Sequence, residues 1–473
     1  MNYFLYGIII ITSILWIYRI APYFSSDVPL GYDPGIFRAY FLDYFHHLPN
    51  IDLYNLDTWV KQIYEPWLGF LTNILLLIWY DVDFLIGFWL VFFSLITWLF
   101  LYLVLRENSK VTALLGLSMY FISIVQYKAF WWNYYKQIIG ILFLLVSVYL
   151  IQKRKYLIAI PTILSMFIIN RASGVFFVLM FIFYKLYELI VEKKIIWKDI
   201  IIIGFTWLLA IWIYYPILQY QLLDLIKPLT TVVMSEWKSG TFFSREEFWY
   251  TSIWFIVLAL WWIYILVSKM VEEWKKLSFI DFGFVVWFIW TSLGLFFYNR
   301  FYIFFDIFLI VFASYFLYFW YERNKKIFIV LTSIFFIFQS LFYFNYVKNN
   351  SNALISQKEF DKIKDFSKLV EDDAVIMVTH KNYSPWLIGY TRKKVIAPWL
   401  FDWNKWNMEK WIVWWSKSDG KEKCAMLKDY TEYKNLYLFL WERQPRENLS
   451  NGSCFQEIYK ENNLIFLKIN HNE

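Results

Sequence analysis

From Asn2 to Tyr346 the chain repeats one pattern, an apolar block followed by a short charged turn. A helix crossing a bilayer takes about 20 apolar residues. Backbone in lipid must satisfy its own hydrogen bonds, so a chain of such blocks folds as a helical bundle. Hydrophobic residues make up 60% of the chain, against about 45–50% in a soluble domain. The blocks predict spans near Tyr3–Tyr18, Phe84–Leu105, Val111–Gln126, Ile138–Ile151, Leu157–Ile169 and Gly174–Ile190. Others are predicted near Ile200–Leu218, Tyr250–Val267, Phe279–Tyr298, Tyr302–Trp320 and Ile327–Tyr346. Pro66–Trp79 is apolar but only about 14 residues long, so it reads as re-entrant or interfacial. After Lys348 the composition becomes that of a soluble domain. The expected fold class is therefore an α-helical polytopic membrane protein with about eleven spans in residues 1–347. A small extracytoplasmic α/β domain is expected over residues 348–473.

Lysine and arginine orient the bundle. Arg106 and Lys110, Lys153 to Lys155, Lys193, Lys194 and Lys198, Lys269, Lys275 and Lys276, and Arg323, Lys325 and Lys326 occupy alternate turns. They share one side only if Pro66–Trp79 does not cross, and that side is cytoplasmic by the positive-inside rule. The N-terminus is then inside the plasma membrane and the C-terminal domain outside. Tyr3–Tyr18 lacks a basic flank and a small-residue cleavage site, so it reads as a span and not a signal peptide. Basic residues confined to short turns argue against nucleic-acid binding.

Two outside loops are long, residues 21–65 and 219–249. In the C-terminal part, Glu359–Leu369 and Met408–Ser416 read as helices, and Ala374–Thr379, Lys394–Ile396, Leu436–Leu440 and Leu464–Ile469 as strands. The only cysteines, Cys424 and Cys454, lie in this part and would pair in an oxidising compartment. Asn382 and Asn448 begin glycosylation-type triplets. The chain has 28 Trp and 15 Gly, where average usage would give about 33 Gly. Trp67, Trp399 and Trp441 stand where glycine would be natural, which raises the reading that some Trp are glycines encoded by a reassigned stop codon.

Six places could carry chemistry. In YDPGIFR, Asp33 precedes a Pro-Gly turn and a helical run holding Arg38. An Asp there serves as a helix N-cap, or as a carboxylate held at the membrane surface. Glu65, before Pro66, is an interfacial acid at a helix start, or a second catalytic carboxylate. Arg171 in NRASG and Arg300 in YNRF lie at outside ends of spans, against the positive-inside bias. Arginine there either snorkels or recognises phosphate through its planar fork. Lys128 and Lys136 flank another short outside loop and could join them. His46 and His47 have only Asp43 as a close third ligand, so no metal site is assigned, although a divalent metal stays open. No cofactor motif is present.

In their order along the chain, these motifs resemble the GT-C superfamily of membrane glycosyltransferases. The resemblance rests on an early acid in the first outside loop (YDPGIFR) and a re-entry motif (YEPWLGFL). An aromatic-basic loop (WWNYYKQIIG), arginine turns (NRASG, YNRF) and a closing outside domain complete it. It implies transfer of a sugar from a polyprenyl-phosphate donor, as in the mannosyl- and aminoarabinose-transferases of that superfamily. The acceptor would be a glycan, lipid or protein at the outer face, in building a cell-envelope glycan. It implies that the family's first-loop carboxylate falls on Asp33, read as the general base, and that Arg171 and Arg300, with Lys128 and Lys136, contact the lipid phosphate. The residues themselves add Glu65 as a second carboxylate and Arg38 as a support for Asp33 and the phosphate. The chain departs from many relatives in having Glu65-Pro66 where they carry a basic residue and paired prolines. Two alternatives are a lipid or polysaccharide transporter, which the intramembrane Asp306 keeps in view, and a structural assembly protein.

Overall fold

The structure is a computed structural model that describes residues 2–46, 66–78, 81–193, 197–212, 243–273, 277–294, 298–380, 383–398, 404–416, 419–440, 449, 452–461 and 464–470. It divides into two compact units. Met1–Ser25, Glu65–Leu68 and Gly87–Asn352 make the membrane unit. Ser26–Tyr64, Gly69–Ile86 and Ala353–Glu473 make the sheet unit.

The helices run α1 (Asn2–Ser25), α2 (Pro34–His46), α3 (Pro66–Ile78), α4 (Val82–Arg106), α5 (Lys110–Phe121), α6 (Ile124–Trp131), α7 (Tyr135–Gln152), α8 (Tyr156–Ile169) and α9 (Arg171–Tyr187). Residues 197–212 form α10. Then come α11 (Arg245–Glu273), α12 (Phe279–Ser292), α13 (Tyr298–Arg323) and α14 (Lys325–Asn350). Over its described residues every predicted span is helical, the last six residues of the one predicted at Ile200–Leu218 lying outside them. Among the described residues seven helices are long and apolar enough to cross alone, or eight if α5 and α6 count as one broken span. Both α8 and α12 contain shorter apolar stretches. The Pro66–Trp79 segment contains a helix of 13 residues, short of a crossing.

Three boundaries move. The segment predicted as Val111–Gln126 is two helices bent by 51°. The segment predicted as Phe279–Tyr298 stops at Ser292, and Tyr298 opens α13, so Arg300 sits in the first turn of that helix. Arg245, Glu246 and Glu247, predicted as loop, open α11. Their signal is Ser244 with Glu247 three residues on, and the Glu247 N–H does donate to Ser244 Oγ at 3.0 Å.

The break at Ile122–Ser123 is repaired by side chains. In lipid an unpaired backbone group costs several kcal/mol. Gln339 Nε2 donates to the Ile122 carbonyl at 3.0 Å. Ser123 caps α6, and its Oγ donates to Asp306 Oδ2 at 2.7 Å. Gln126 Nε2 donates to the same oxygen at 3.0 Å. Asp306, fully buried in α13, therefore serves the break. The aromatic interior of this unit is stacked, with Trp287 held between Phe176 at 3.7 Å and Phe304 at 4.7 Å.

In the sheet unit α15 (Gln357–Leu369), α16 (Ser384–Thr391), α17 (Met408–Ser416) and α18 (Gly420–Leu427) pack around five strands. These are β1 (Val375–Val378), β2 (Lys394–Ile396), β3 (Leu436–Leu440), β4 (Phe455–Glu461) and β5 (Leu464–Ile469), in the order β2-β1-β3-β5-β4. β1 is parallel to both β2 and β3, and β5 is antiparallel to β3 and β4. One side of the sheet buries Phe360, Phe366, Trp386 and Phe439, and the other buries Trp406, Trp411, Trp414 and Leu438. These indoles fill core volume that a glycine would leave empty. Trp399 and Trp441, and the side chain of Trp67, lie outside what is described. Cys424 and Cys454 are disulfide-bonded, with Cα atoms 5.8 Å apart.

Candidate functional site

The two units contribute separately. In the membrane unit, hydrogen bonds gather the predicted basic residues at one end of the bundle. Lys128 Nζ, at the foot of α6, meets Glu247 at 2.8 Å, and the Tyr346 hydroxyl donates to Glu247 at 3.1 Å. Lys128 also lies 4.1 Å from the centre of the Phe243 ring. Asn170 caps α9 by accepting from the Ser173 N–H at 3.2 Å, and its amide donates to the Lys136 carbonyl at 3.2 Å. That places Arg171 at the first position of α9 beside the start of α7. Gly140 permits the approach, since a Cβ there would come 2.6 Å from Ser173 Oγ. The opposite end carries the basic turns, where Lys153 reaches Glu107 at 2.6 Å and Lys185 reaches Asp199 at 2.8 Å.

Also at the first end, Arg245 lines a cavity of about 160 Å³ with Trp249, Thr291, Ser292, Tyr302 and Phe305. Its Nη2 donates to the carbonyls of Thr291 at 3.2 Å and Ser292 at 2.9 Å, the last carbonyls of α12. Arg300, half-buried, stands in the first turn of α13, two residues before Tyr302 of the cavity wall. The N-termini of α11 and α13 thus flank a cavity bearing a guanidinium. Helix N-termini present unpaired N–H groups and the positive end of the dipole, which suits an anion. The sequence singles out Arg300 and passes over Arg245, whose place in a polar run reads as loop.

In the sheet unit, Asp33 is half-buried at the head of α2, and its carbonyl accepts the Phe37 N–H at 3.1 Å. That backbone bond is the N-cap position the sequence suggests. Arg38, one turn on, is held by three partners. Its Nε donates to Asp83 at 3.0 Å, one Nη donates to the Gly389 carbonyl at 2.6 Å, and its guanidinium lies 4.6 Å from the centre of the Tyr390 ring. The Tyr390 hydroxyl donates to Asp83 at 2.9 Å. Burial pushes the Tyr390 phenol well above its usual pKa, the Asp83 carboxylate adds to the rise and Arg38 opposes it, so this hydroxyl keeps its proton. Glu65 and His47 lie outside the described residues. His46 is exposed at the end of α2, and among the described residues no group of His, Cys, Asp and Glu could hold a metal ion.

Solved structures share this architecture. An oligosaccharyltransferase of Archaeoglobus fulgidus in its apo form matches with a TM-score of 0.66 and 11% identity, over 93% of this chain and 69% of that one. ArnT of Cupriavidus metallidurans in the apo state matches at 0.60 and 8% identity, over 98% of this chain and 97% of that one. The chain has the GT-C fold. ArnT bound to undecaprenyl phosphate matches at 0.57 and 8% identity, again over 98% and 97%. No protein-family model and no curated protein sequence matches this chain. The GT-C likeness is thus one of fold, at 8% and 11% sequence identity.

Proposed function

We propose that this chain is a glycosyltransferase that moves a sugar from a polyprenyl-phosphate donor to an acceptor hydroxyl at the outer face of the cytoplasmic membrane. The observation that carries the reading is the GT-C fold shared along nearly the whole length of ArnT, a protein also solved with undecaprenyl phosphate bound. The arginine-bearing cavity between helix N-termini supports it, because the leaving group is a phosphate. The acceptor oxygen attacks the anomeric carbon and forms the new C–O bond. The bond from that carbon to the phosphate oxygen breaks, and its electron pair leaves on the polyprenyl phosphate. The acceptor proton passes to the Asp33 carboxylate as general base. Arg300, Arg245 and Arg171 stabilise the charge growing on the phosphate. Lys136 assists at the same end, and Lys128 acts through its pair with Glu247. Glu65 keeps its proposed place as a second carboxylate. The acceptor class is a glycan, lipid or protein, and the basic turns put the N-terminus inside.

Asp306 was the specific support for a transporter, and it is engaged with Ser123 and Gln126 at the helix break. The test uses purified full-length protein in lipid nanodiscs. Undecaprenyl phosphate carrying labelled glucose, mannose or galactose is supplied with an extract of membrane glycolipids, and loss of label from the donor is followed. Turnover of one donor is expected, with undecaprenyl phosphate itself inhibiting. Failure to consume any donor together with failure to bind undecaprenyl phosphate would overturn the reading.

A further inference from the structure

The residues on both sides of Asp33 are seated on one helix of the C-terminal sheet unit, α16. Tyr32 lies edge-on to the ring of the fully buried Trp386, with centroids 6.4 Å apart. Gly35 touches α16 backbone to backbone. A Cβ at Gly35 would come 1.9 Å from the Pro385 carbonyl oxygen, and one at Gly389 would come 2.4 Å from Gly35 Cα. Glycine inside a helix costs about 1 kcal/mol against alanine, and here two helices each carry one where they meet. Val28 and Ala39, before and after the Asp33 turn, lie in the same apolar core as Ile363, Leu387 and Phe439. Arg38 then closes the contact through the Gly389 carbonyl, the Asp83 carboxylate and the Tyr390 ring.

We propose that Gly35, Arg38, Asp83, Gly389 and Tyr390 form a clasp through which α16 sets the position of Asp33, so that the C-terminal domain is a positioning part of the catalytic machinery. This rests on the reading of Asp33 as the base. It gives Arg38 a positioning role, with its charge spent on Asp83 and on an α16 carbonyl. Asp33 is two residues from a backbone contact that admits no added carbon, so a shift of α16 is passed to its carboxylate. A displacement near 1 Å at a catalytic group can cost on the order of 10²-fold in rate.

The test measures kcat and donor KM for the undecaprenyl-phosphate sugar that the wild type consumes fastest, using the full chain. Gly389→Ala inserts a carbon into the contact. Tyr390→Phe and Asp83→Asn loosen the clasp without adding bulk, and they decide the matter if Gly389→Ala does not fold. Hydrogen exchange over residues 34–46 and 357–369 reports whether each variant keeps its fold. Folded clasp variants are expected to lose kcat by about tenfold to 10²-fold with donor KM unchanged. In an Asp33→Asn background the same substitutions should cost nothing further, since they act through that carboxylate. If Asp33→Asn is impaired and the folded clasp variants keep wild-type kcat, or their losses multiply with it, the clasp is overturned and the base reading stands. If Asp33→Asn turns over like wild type, the base reading and the clasp fall together.

Discussion

In the membrane unit, Gln339, Asn170 and Arg245 donate to backbone carbonyls at helix ends or at the break between α5 and α6, and Asp306 accepts from the residues that cap that break. In the sheet unit, Glu371 pairs with Lys468 at 2.7 Å and Lys410 with Asp429 at 2.7 Å, charge to charge near the surface. Lipid offers the backbone no replacement partner, so polar side chains there are claimed by helix geometry. Water offers one everywhere, so exposed charges in the sheet unit stabilise little. Intramembrane charge is therefore informative about function only after the backbone has been accounted for. Asp306 loses its functional interest by that standard, while Arg245, though it also donates to the end of α12, keeps a place in the wall of a cavity.

The sharpest test of the contrast is Asp33→Asn, because Asp33 is the polar residue proposed to be kept for chemistry. Asparagine caps a helix as well as aspartate does, so the fold should persist while turnover falls about 10²–10⁴-fold. Replacing Cys424 and Cys454 by serine opens a crosslink spanning 30 residues, and about 3–4 kcal/mol of stability should be lost. Denaturant melts followed in the sheet unit would show it, with membrane-unit helicity unchanged. Arg300→Ala and Arg245→Ala should each weaken undecaprenyl-phosphate binding about 10- to 100-fold, the loss of a charged hydrogen bond. Arg245→Lys should recover only part, because lysine lacks the planar fork.

Asp306→Asn should cost about 1 kcal/mol in unfolding measurements, the usual scale of polar contacts between membrane helices, and leave turnover near wild type. Loss of turnover there would return Asp306 to the functional set. The smallest effect belongs to Glu371. Hydrogen bonds from Lys468 and Tyr437 pull its carboxyl down to about 2 from 4.5. A carboxyl lowered in the folded state stabilises at pH above its unfolded value. That contribution is lost as pH falls from about 4.5 to about 2. Because Glu371 is exposed, the loss should stay under about 1 kcal/mol, and Glu371→Gln should remove that part of the acid sensitivity.

Much of the fold was legible. The strands Lys394–Ile396, Leu436–Leu440 and Leu464–Ile469 and the helix Met408–Ser416 stand where apolar pattern alone puts them. β4 was not legible, because FQEIYKE lies at a sheet edge and alternates charge with apolar residues weakly. The α5–α6 break was hidden because SMYFISIVQYKAFW is mostly apolar and has neither Pro nor Gly at the break, and its partners Asp306 and Gln339 are far along the chain. Arg38 was visible as a residue near Asp33. Its partners Asp83 and Gly389 were not, since no local rule links positions so distant in sequence.

The hydrogen bond from Arg38 to Gly389 spans 351 positions, and this has a consequence during biosynthesis. At about 5–20 residues per second, α2 leaves the ribosome roughly 20–70 s before the helix it docks on exists. Through that interval the segment around α2 has exposed apolar side chains, Val28 and Ala39 among them, and none of their eventual neighbours from the chain's end. A nascent chain released before Thr391 would carry the carboxylate of Asp33 with nothing to seat it, so translational arrest late in the message should yield membrane-inserted but inactive protein.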